Sequence, residues 1–204
     1  MTSVSSARVS KVDGSGELVA SRALFLDRDG VINVNHGYVH TPESTDWVDG
    51  IFELCRFAVQ QGFSLVVATN QAGIARGMYD EDQFASYTHW MMKCFEEQGV
   101  AITAVYYCPH HPTAGLGCYK RVCDCRKPAP GMLLAARAEY GFDLSRSIFI
   151  GDSCSDMVAG DSAGVGCLVL LDNTNACTVG SGRQPLRIKR LAELMDLTGP
   201  LCQA

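Results

Sequence analysis

Five short apolar runs punctuate the chain, and segments of helical period separate them. Ala23-Leu24-Phe25-Leu26 is continuously apolar and predicts a strand over Arg22–Asp27 that runs into Asp27-Arg28-Asp29-Gly30. Runs of this kind read as central strands of a parallel sheet, buried on both faces. Further strands are predicted at Phe63–Ala68, ending in Thr69-Asn70-Gln71, at Ala104–Tyr107, at Ser147–Ile150, which runs into Gly151-Asp152, and at Gly166–Leu171. Between them, Gly50–Gln61 carries apolar residues at 51, 54, 55, 58 and 59 and is closed by Gly62. Asp80–Gly99 follows as a long helix with Asp80 as its cap and apolar residues at 84, 87, 91 and 95. Pro130–Tyr140, Ser155–Ala163 and a basic-polar Leu186–Leu197 complete the helices. Strands alternating with helices predict an α/β fold of three layers, a Rossmann-like central parallel sheet covered on both sides.

Residues 1–21, rich in Ser, Gly and Val without a sustained period, read as a flexible leader before a single domain over 22–204. The chain has 204 residues, 47% of them hydrophobic and 19% charged, enough to bury a full core. Its net charge of −5 argues against a nucleic-acid partner engaged through phosphate neutralisation. The longest apolar runs are strand-sized, so no membrane span is expected. Nothing at the N-terminus resembles a signal peptide, so a cytoplasmic monomer acting on a small molecule is the expectation.

The acids fall in a particular place. Asp27 and Asp29 follow the first strand, Thr69 the second, and Asp152 the fourth, with Asp156 one helical turn later; Lys127 lies in a loop before a helix. In open α/β sheets the carboxyl ends of the strands carry the ligand site. A lone Asp there is usually a cap or turn residue, but this set together is hard to explain as capping. Asp27 and Asp152 side by side would repel unless a cation lay between them, and Mg²⁺ is the hard ion that few carboxylates hold. The pattern therefore predicts phosphoryl chemistry. Asp27 attacks phosphorus, Asp29 serves as acid and then base, and Thr69 and Lys127 hold the phosphoryl oxygens.

Ten cysteines are many for this length. Six (Cys55, Cys94, Cys154, Cys167, Cys177 and Cys202) are scattered singly and read as buried small hydrophobes or ordinary thiols. Cys108 and His110, then Cys123 and Cys125, form a C-x-H…C-x-C set separated by twelve residues, the ligand count of a closed, structural Zn²⁺ site. Such a site would staple loop 108–128 and so fix Lys127. His111 and Cys118 are spare, the first facing solvent or substrate and the second at a loop tip.

Asp27-Arg28-Asp29-Gly30, Thr69, Lys127 and Gly151-Asp152 with Asp156 resemble, in order, the four motifs of the haloacid dehalogenase (HAD) superfamily of aspartate-nucleophile phosphatases. The resemblance spans about residues 23–171 and implies Mg²⁺ contacts from Asp27, Asp152 and the backbone carbonyl of Asp29. Asp29, in this superfamily, marks phosphatases rather than dehalogenases. No stretch between the motifs has room for a large cap, so a capless fold is expected, with the zinc-stapled loop over the site. The zinc pattern followed by Cys125-Arg126-Lys127-Pro128 is similar to two capless groups, the heptose 1,7-bisphosphate 7-phosphatases and the histidinol-phosphate phosphatases. Gly73-Ile-Ala-Arg-Gly77 favours the first. That resemblance implies removal of a sugar 7-phosphate in the route to lipopolysaccharide or related heptosides. It also implies a substrate pocket lined by Asn35, His36, Gly37 and Tyr38, by Thr69, Asn70, Gln71 and Ala72, and by Arg126 and Lys127, with Arg126 on the retained phosphate. Two positions depart from the pattern: Asn35 stands where Asp is common and Ser153 where Lys is common. A catalytically idle binding protein is the contrasting reading, set against the presence of every residue the chemistry needs.

Overall fold

The computed structural model describes residues 2–5, 21–172 and 177–196. Seven strands are present among them: β1 (Thr2–Ser5), β2 (Arg22–Leu26), β3 (Phe63–Asn70), β4 (Ile102–Cys108), β5 (Ile148–Gly151), β6 (Cys167–Leu171) and β7 (Leu186–Ile188). They form one sheet in the order β1-β4-β3-β2-β5-β6-β7. All neighbours are parallel except β1, which pairs antiparallel with β4 at the edge. The helices are α1 (Ile51–Gln60), α2 (Ala72–Ala75), α3 (Glu81–Glu97), α4 (Gly131–Tyr140), α5 (Cys154–Ala163) and α6 (Ala192–Asp196).

Alternation along β2 explains why the central strands are apolar throughout. Leu24 and Leu26 enter one core layer with Ile51 and Leu54 of α1, Phe84, Met91 and Phe95 of α3, and Leu194 of α6. Ala23 and Phe25 face the other, with Met132, Leu133 and Ala136 of α4 and Met157, Ala159 and Ala163 of α5. Both faces are covered, as buried parallel strands require. Asp80 caps α3 as its sequence suggests, its Oδ1 accepting from the Gln83 N–H at 2.7 Å. Strand order reverses between β2 and β5, so the switch-point crevice opens between their carboxyl ends. Among the described residues, loops 27–50 and 109–130 leave the sheet at this carboxyl edge, and no separate cap domain is inserted between the strands.

Four expectations need correction or limitation. The predicted Leu186–Leu197 helix is instead strand β7 followed by the short α6, with residues 197–204 outside the described residues. Leu186 and Ile188 alternate with Arg187, a two-residue period that suits an edge strand beside β6. The expected central parallel sheet gains one antiparallel edge strand, because Thr2–Ser5, inside the expected leader, pairs with β4; residues 6–20 lie outside the described residues. Cys154 and Cys177 are not separate thiols but a disulfide joining the start of α5 to the segment after β6. Cys202 lies outside the described residues.

Candidate active site

β2 ends at Leu26, yet the next residue is still tied to the sheet: the Asp27 N–H donates to the Ile150 carbonyl of β5 at 2.9 Å. This bond brings the first acid beside the end of β5, where Asp152 begins the next loop. Lys127 arrives from the β4–α4 loop and is almost wholly buried. Its Nζ lies 2.9 Å from Asp27 Oδ1 and 2.6 Å from Asp156 Oδ1, and donates to the Ala68 carbonyl at 2.8 Å. The Asn70 amide clasps the Lys127 backbone from both sides, accepting from its N–H and donating to its carbonyl, each at 3.1 Å. Asp156, fully buried in the first turn of α5, accepts on Oδ2 from the Ser153 N–H at 3.0 Å and from its hydroxyl at 2.5 Å. Ser153 therefore starts the helix and steadies Asp156.

Carboxylate oxygens of Asp27, Asp152 and Asp156 lie within 4.8 Å of one another. Burial pushes Asp27 up to about 7, opposed by Lys127 and reinforced by Asp156. Asp152 is pushed up to about 6 by burial and then by Asp156. Three acids against one lysine leave an excess of negative charge in a low-dielectric crevice, the environment a divalent cation relieves. Asp156 is engaged on both oxygens, by Lys127 and by Ser153, which leaves Asp27 and Asp152 as the acids that would hold a hard ion such as Mg²⁺. Gly30, at φ +92°, makes room for this cradle. A Cβ there would sit 2.1 Å from Asp152 Oδ2.

Asp29 is held differently. Its Oδ1 accepts from Arg28 Nη2 at 3.0 Å and from Asn33 Nδ2 at 3.1 Å, and its Oδ2 from Arg28 Nη2 at 2.9 Å and Gln71 Nε2 at 3.1 Å. Gln71 Nε2 also donates to Thr69 Oγ1 at 2.8 Å, and its Oε1 accepts from the Tyr79 hydroxyl. A cavity of about 400 Å³ brings together Asp27, Asp29, Asn35, Gly37, Tyr38, Thr69, Asn70, Gln71, Ala72, Lys127 and Asp152.

The Cys/His set also converges. Cys108 Sγ lies 3.5 Å from Cys123 Sγ and 3.3 Å from Cys125 Sγ, with Cys123 to Cys125 at 3.2 Å. His110 Nδ1 is 3.7 Å from Cys108 Sγ and 3.5 Å from Cys125 Sγ. A tetrahedral Zn²⁺ with Zn–S near 2.3 Å needs S···S edges of about 3.8 Å, so the three sulfurs, drawn closer than that, would open slightly to hold one with His110. The crowded sulfurs share their protons unequally: Cys125 is lowered to about 5 by its hydrogen bonding with Cys108, while Cys108 is pushed up by the same contact and by burial, so a metal would have to displace the proton that remains. Loop 109–130 reaches α2 through the Leu116 N–H to Ala75 carbonyl bond, 2.8 Å.

Comparison with known proteins sharpens this picture. Residues 124–194 match the HAD-hydrolase-like family model. The chain is 48% identical over 153 residues to the D-glycero-β-D-manno-heptose-1,7-bisphosphate 7-phosphatase of Vibrio cholerae, covering 75% of this chain and 82% of that one. It belongs to the HAD-like heptose-bisphosphate phosphatase family. Among solved structures, a HAD-like protein of Mesorhizobium loti superposes with a TM-score of 0.83 at 34% identity, covering 97% of this chain and 90% of that one. The D,D-heptose 1,7-bisphosphate phosphatase of B. bronchiseptica, complexed with magnesium and phosphate, gives 0.74 at 28%, covering 90% and 99%.

Two of the residues expected to line this HAD-like pocket stand apart from it. His36 pairs through Nε2 with Asp46 at 2.8 Å on an exposed loop, and Arg126 donates through Nη1 to the His110 carbonyl at 3.1 Å. Neither lines the 400 Å³ cavity. Conversely, sequence reasoning missed Arg28, Asn33 and Tyr79, which organise Asp29 and Gln71. It also left Asp156 without a role, although its place one turn after Asp152 was a usable signal for a Lys127 partner. Spare His111 accepts at Nδ1 from the N–H groups of Thr113 and Ala114, at 3.3 and 2.9 Å, and so shapes its own loop.

Proposed function

We propose that this chain removes the 7-phosphate from D-glycero-β-D-manno-heptose 1,7-bisphosphate and leaves heptose 1-phosphate, with Mg²⁺ at Asp27, Asp152 and the Asp29 carbonyl. The observation that carries the reading is the meeting of Asp27, Lys127 and Asp152 at the switch point, in a chain 48% identical to a phosphatase of that name. Asp27 Oδ1 is engaged by Lys127 and by the Arg28 N–H at 2.7 Å, whereas Oδ2 has no hydrogen-bond partner among the described residues. Oδ2 is therefore the attacking atom. It bonds to phosphorus as the sugar oxygen leaves with a proton from Asp29, giving an aspartyl phosphate. Asp29 then takes a proton from water as that water attacks phosphorus, and Asp27 is released with inorganic phosphate. Lys127 and the Thr69 hydroxyl hold the phosphoryl oxygens where charge spreads. Magnesium, when bound, neutralises carboxylate and phosphate charge so that anion can approach anion.

Asn35, Gly37 and Tyr38 on one side and Asn70, Gln71 and Ala72 on the other line the cavity and would surround the sugar. Arg126 and His36 would have to turn from their present partners to reach it. Zinc held by Cys108, His110, Cys123 and Cys125 would fix the loop that presents Lys127 and take no part in the chemistry. A cytoplasmic location suits these clustered thiols, which hold metal only when reduced, whereas the Cys154–Cys177 disulfide argues against it. A monomer is proposed as the working form.

Phosphate release should be measured against both anomers of heptose 1,7-bisphosphate and against histidinol phosphate. The reading requires the highest kcat/KM on the β-bisphosphate. Preference for histidinol phosphate would move the chain to that group, and failure on every ester in Mg²⁺ buffer would revive the idle binding protein.

A further inference from the structure

Arg28 is fully buried and does not line the catalytic cavity, yet its guanidinium is spent on Asp29. Nη2 bonds both Asp29 oxygens, at 3.0 and 2.9 Å, with Nε 3.3 Å from Oδ1. The same Nη2 donates to the Val39 carbonyl at 2.6 Å, and the guanidinium lies 5.1 Å from the Tyr87 ring and 5.8 Å from the Phe84 ring of α3. A planar fork that meets both oxygens fixes the plane of a carboxylate, which a point charge does not. Walled in by rings and backbone, this arginine cannot turn to water, so it stays bound to Asp29 both when that acid carries the proton it gives the leaving group and when it is ionised. The donors divide unequally between the two oxygens. Arg28 bonds both oxygens; Oδ1 also accepts from Asn33, which lies outside the cavity, while Oδ2 also accepts from Gln71, which lines it.

We infer that Arg28 is the positioning residue of the acid–base: it locks the Asp29 carboxylate so that Oδ2 points at the leaving oxygen, and its Val39 bond couples that aim to loop 34–39. The inference rests on the role given to Asp29 above. It makes Oδ2 the oxygen that works, with the leaving group taking the place of the Gln71 amide. Arg28 itself touches no reacting atom.

An experiment on leaving groups isolates this role. An alkoxide departs only with a proton, whereas p-nitrophenolate departs without one. Measured as kcat/KM, Asp29→Asn should therefore fall far more on the heptose bisphosphate than on p-nitrophenyl phosphate. Arg28→Gln should imitate it, losing about 100-fold on the alkyl ester and less than about 10-fold on the aryl ester. Arg28→Lys, which keeps charge but not the fork, should lose about 10-fold on the alkyl ester alone. In the Asp29→Asn background neither change should alter the alkyl-to-aryl ratio further. Circular dichroism checks folding, and if Arg28→Gln fails to fold the Arg28→Lys ratio decides. Equal losses on both esters, or a ratio that shifts as much without Asp29, would overturn the positioning role while leaving the aspartyl-phosphate mechanism intact. An unchanged ratio in Asp29→Asn alone would instead remove the acid–base assignment on which it rests.

Discussion

Lowering the pH should dislodge magnesium from this protein far above the pH at which free carboxylates protonate. In the metal-free fold Asp27 is pushed from 3.8 to about 7, and Asp152 from 3.8 to about 6, burial being the largest cause in both. For Asp27 that displacement disfavours the ionised form in the fold by about 4 kcal/mol. The sign follows from proton counts. Between pH 4 and 7 the folded chain holds protons that the unfolded chain has released, so metal-free stability falls as pH rises through that window and levels off above it. A divalent ion needs both carboxylates ionised and must displace those protons. From the two pKa values, apparent Mg²⁺ affinity should weaken by about a thousandfold between pH 8 and pH 5. Isothermal titration calorimetry with MgCl₂, in buffers of different ionisation enthalpy, reads both the affinity and the protons released. Mg²⁺ should raise the melting temperature more at pH 8 than at pH 5. An affinity constant within threefold across this range, with no proton release, would refute the claim that these two acids share the ion.

Other perturbations have separate readouts. Gly30→Ala would force a Cβ to within 2.1 Å of Asp152 Oδ2 at a backbone angle that suits glycine, and should weaken Mg²⁺ by about 10- to 100-fold by calorimetry. Lys127→Met leaves Asp27 and Asp156 buried without their shared cation, and should cost about 3–5 kcal/mol of metal-free stability in urea melts, part of it regained with Mg²⁺. Cys123→Ser should lose the bound zinc, about one per chain by elemental analysis, and make loop 109–130 a new protease target. Full activity in a zinc-free preparation would contradict the loop-fixing role.

What the sequence made readable was the sheet and the acids at its edge. Continuously apolar runs such as Ala23–Leu26 can be stable only where helices cover both faces, so they announced buried strands and placed Asp27 and Asp152 at neighbouring carboxyl ends. The metal-type Cys/His set was equally readable, because ligand count and spacing are local properties. Long-range partnerships were not. Nothing in the spacing of Cys154 and Cys177 pairs them, since they meet only once the fold has set the start of α5 beside Cys177. No role for Arg28 was legible in the sequence because its partners, Val39, Phe84 and Tyr87, come from distant segments. The misread of 186–197 came from a mixed signal. Leu186 and Ile188 have a strand's period, whereas Leu191 and Leu194 have a helix's, and the chain uses both in turn.

The most direct test is to ask where the phosphoryl group goes. The enzyme should be mixed with substrate labelled at the 7-phosphate, quenched in acid within milliseconds, digested and read by mass spectrometry. The peptide carrying Asp27 should bear the phosphoryl group, and Asp27→Asn should abolish both the label and phosphate release. Label on any other residue, or full turnover by the Asn variant, would contradict Asp27 as the attacking group.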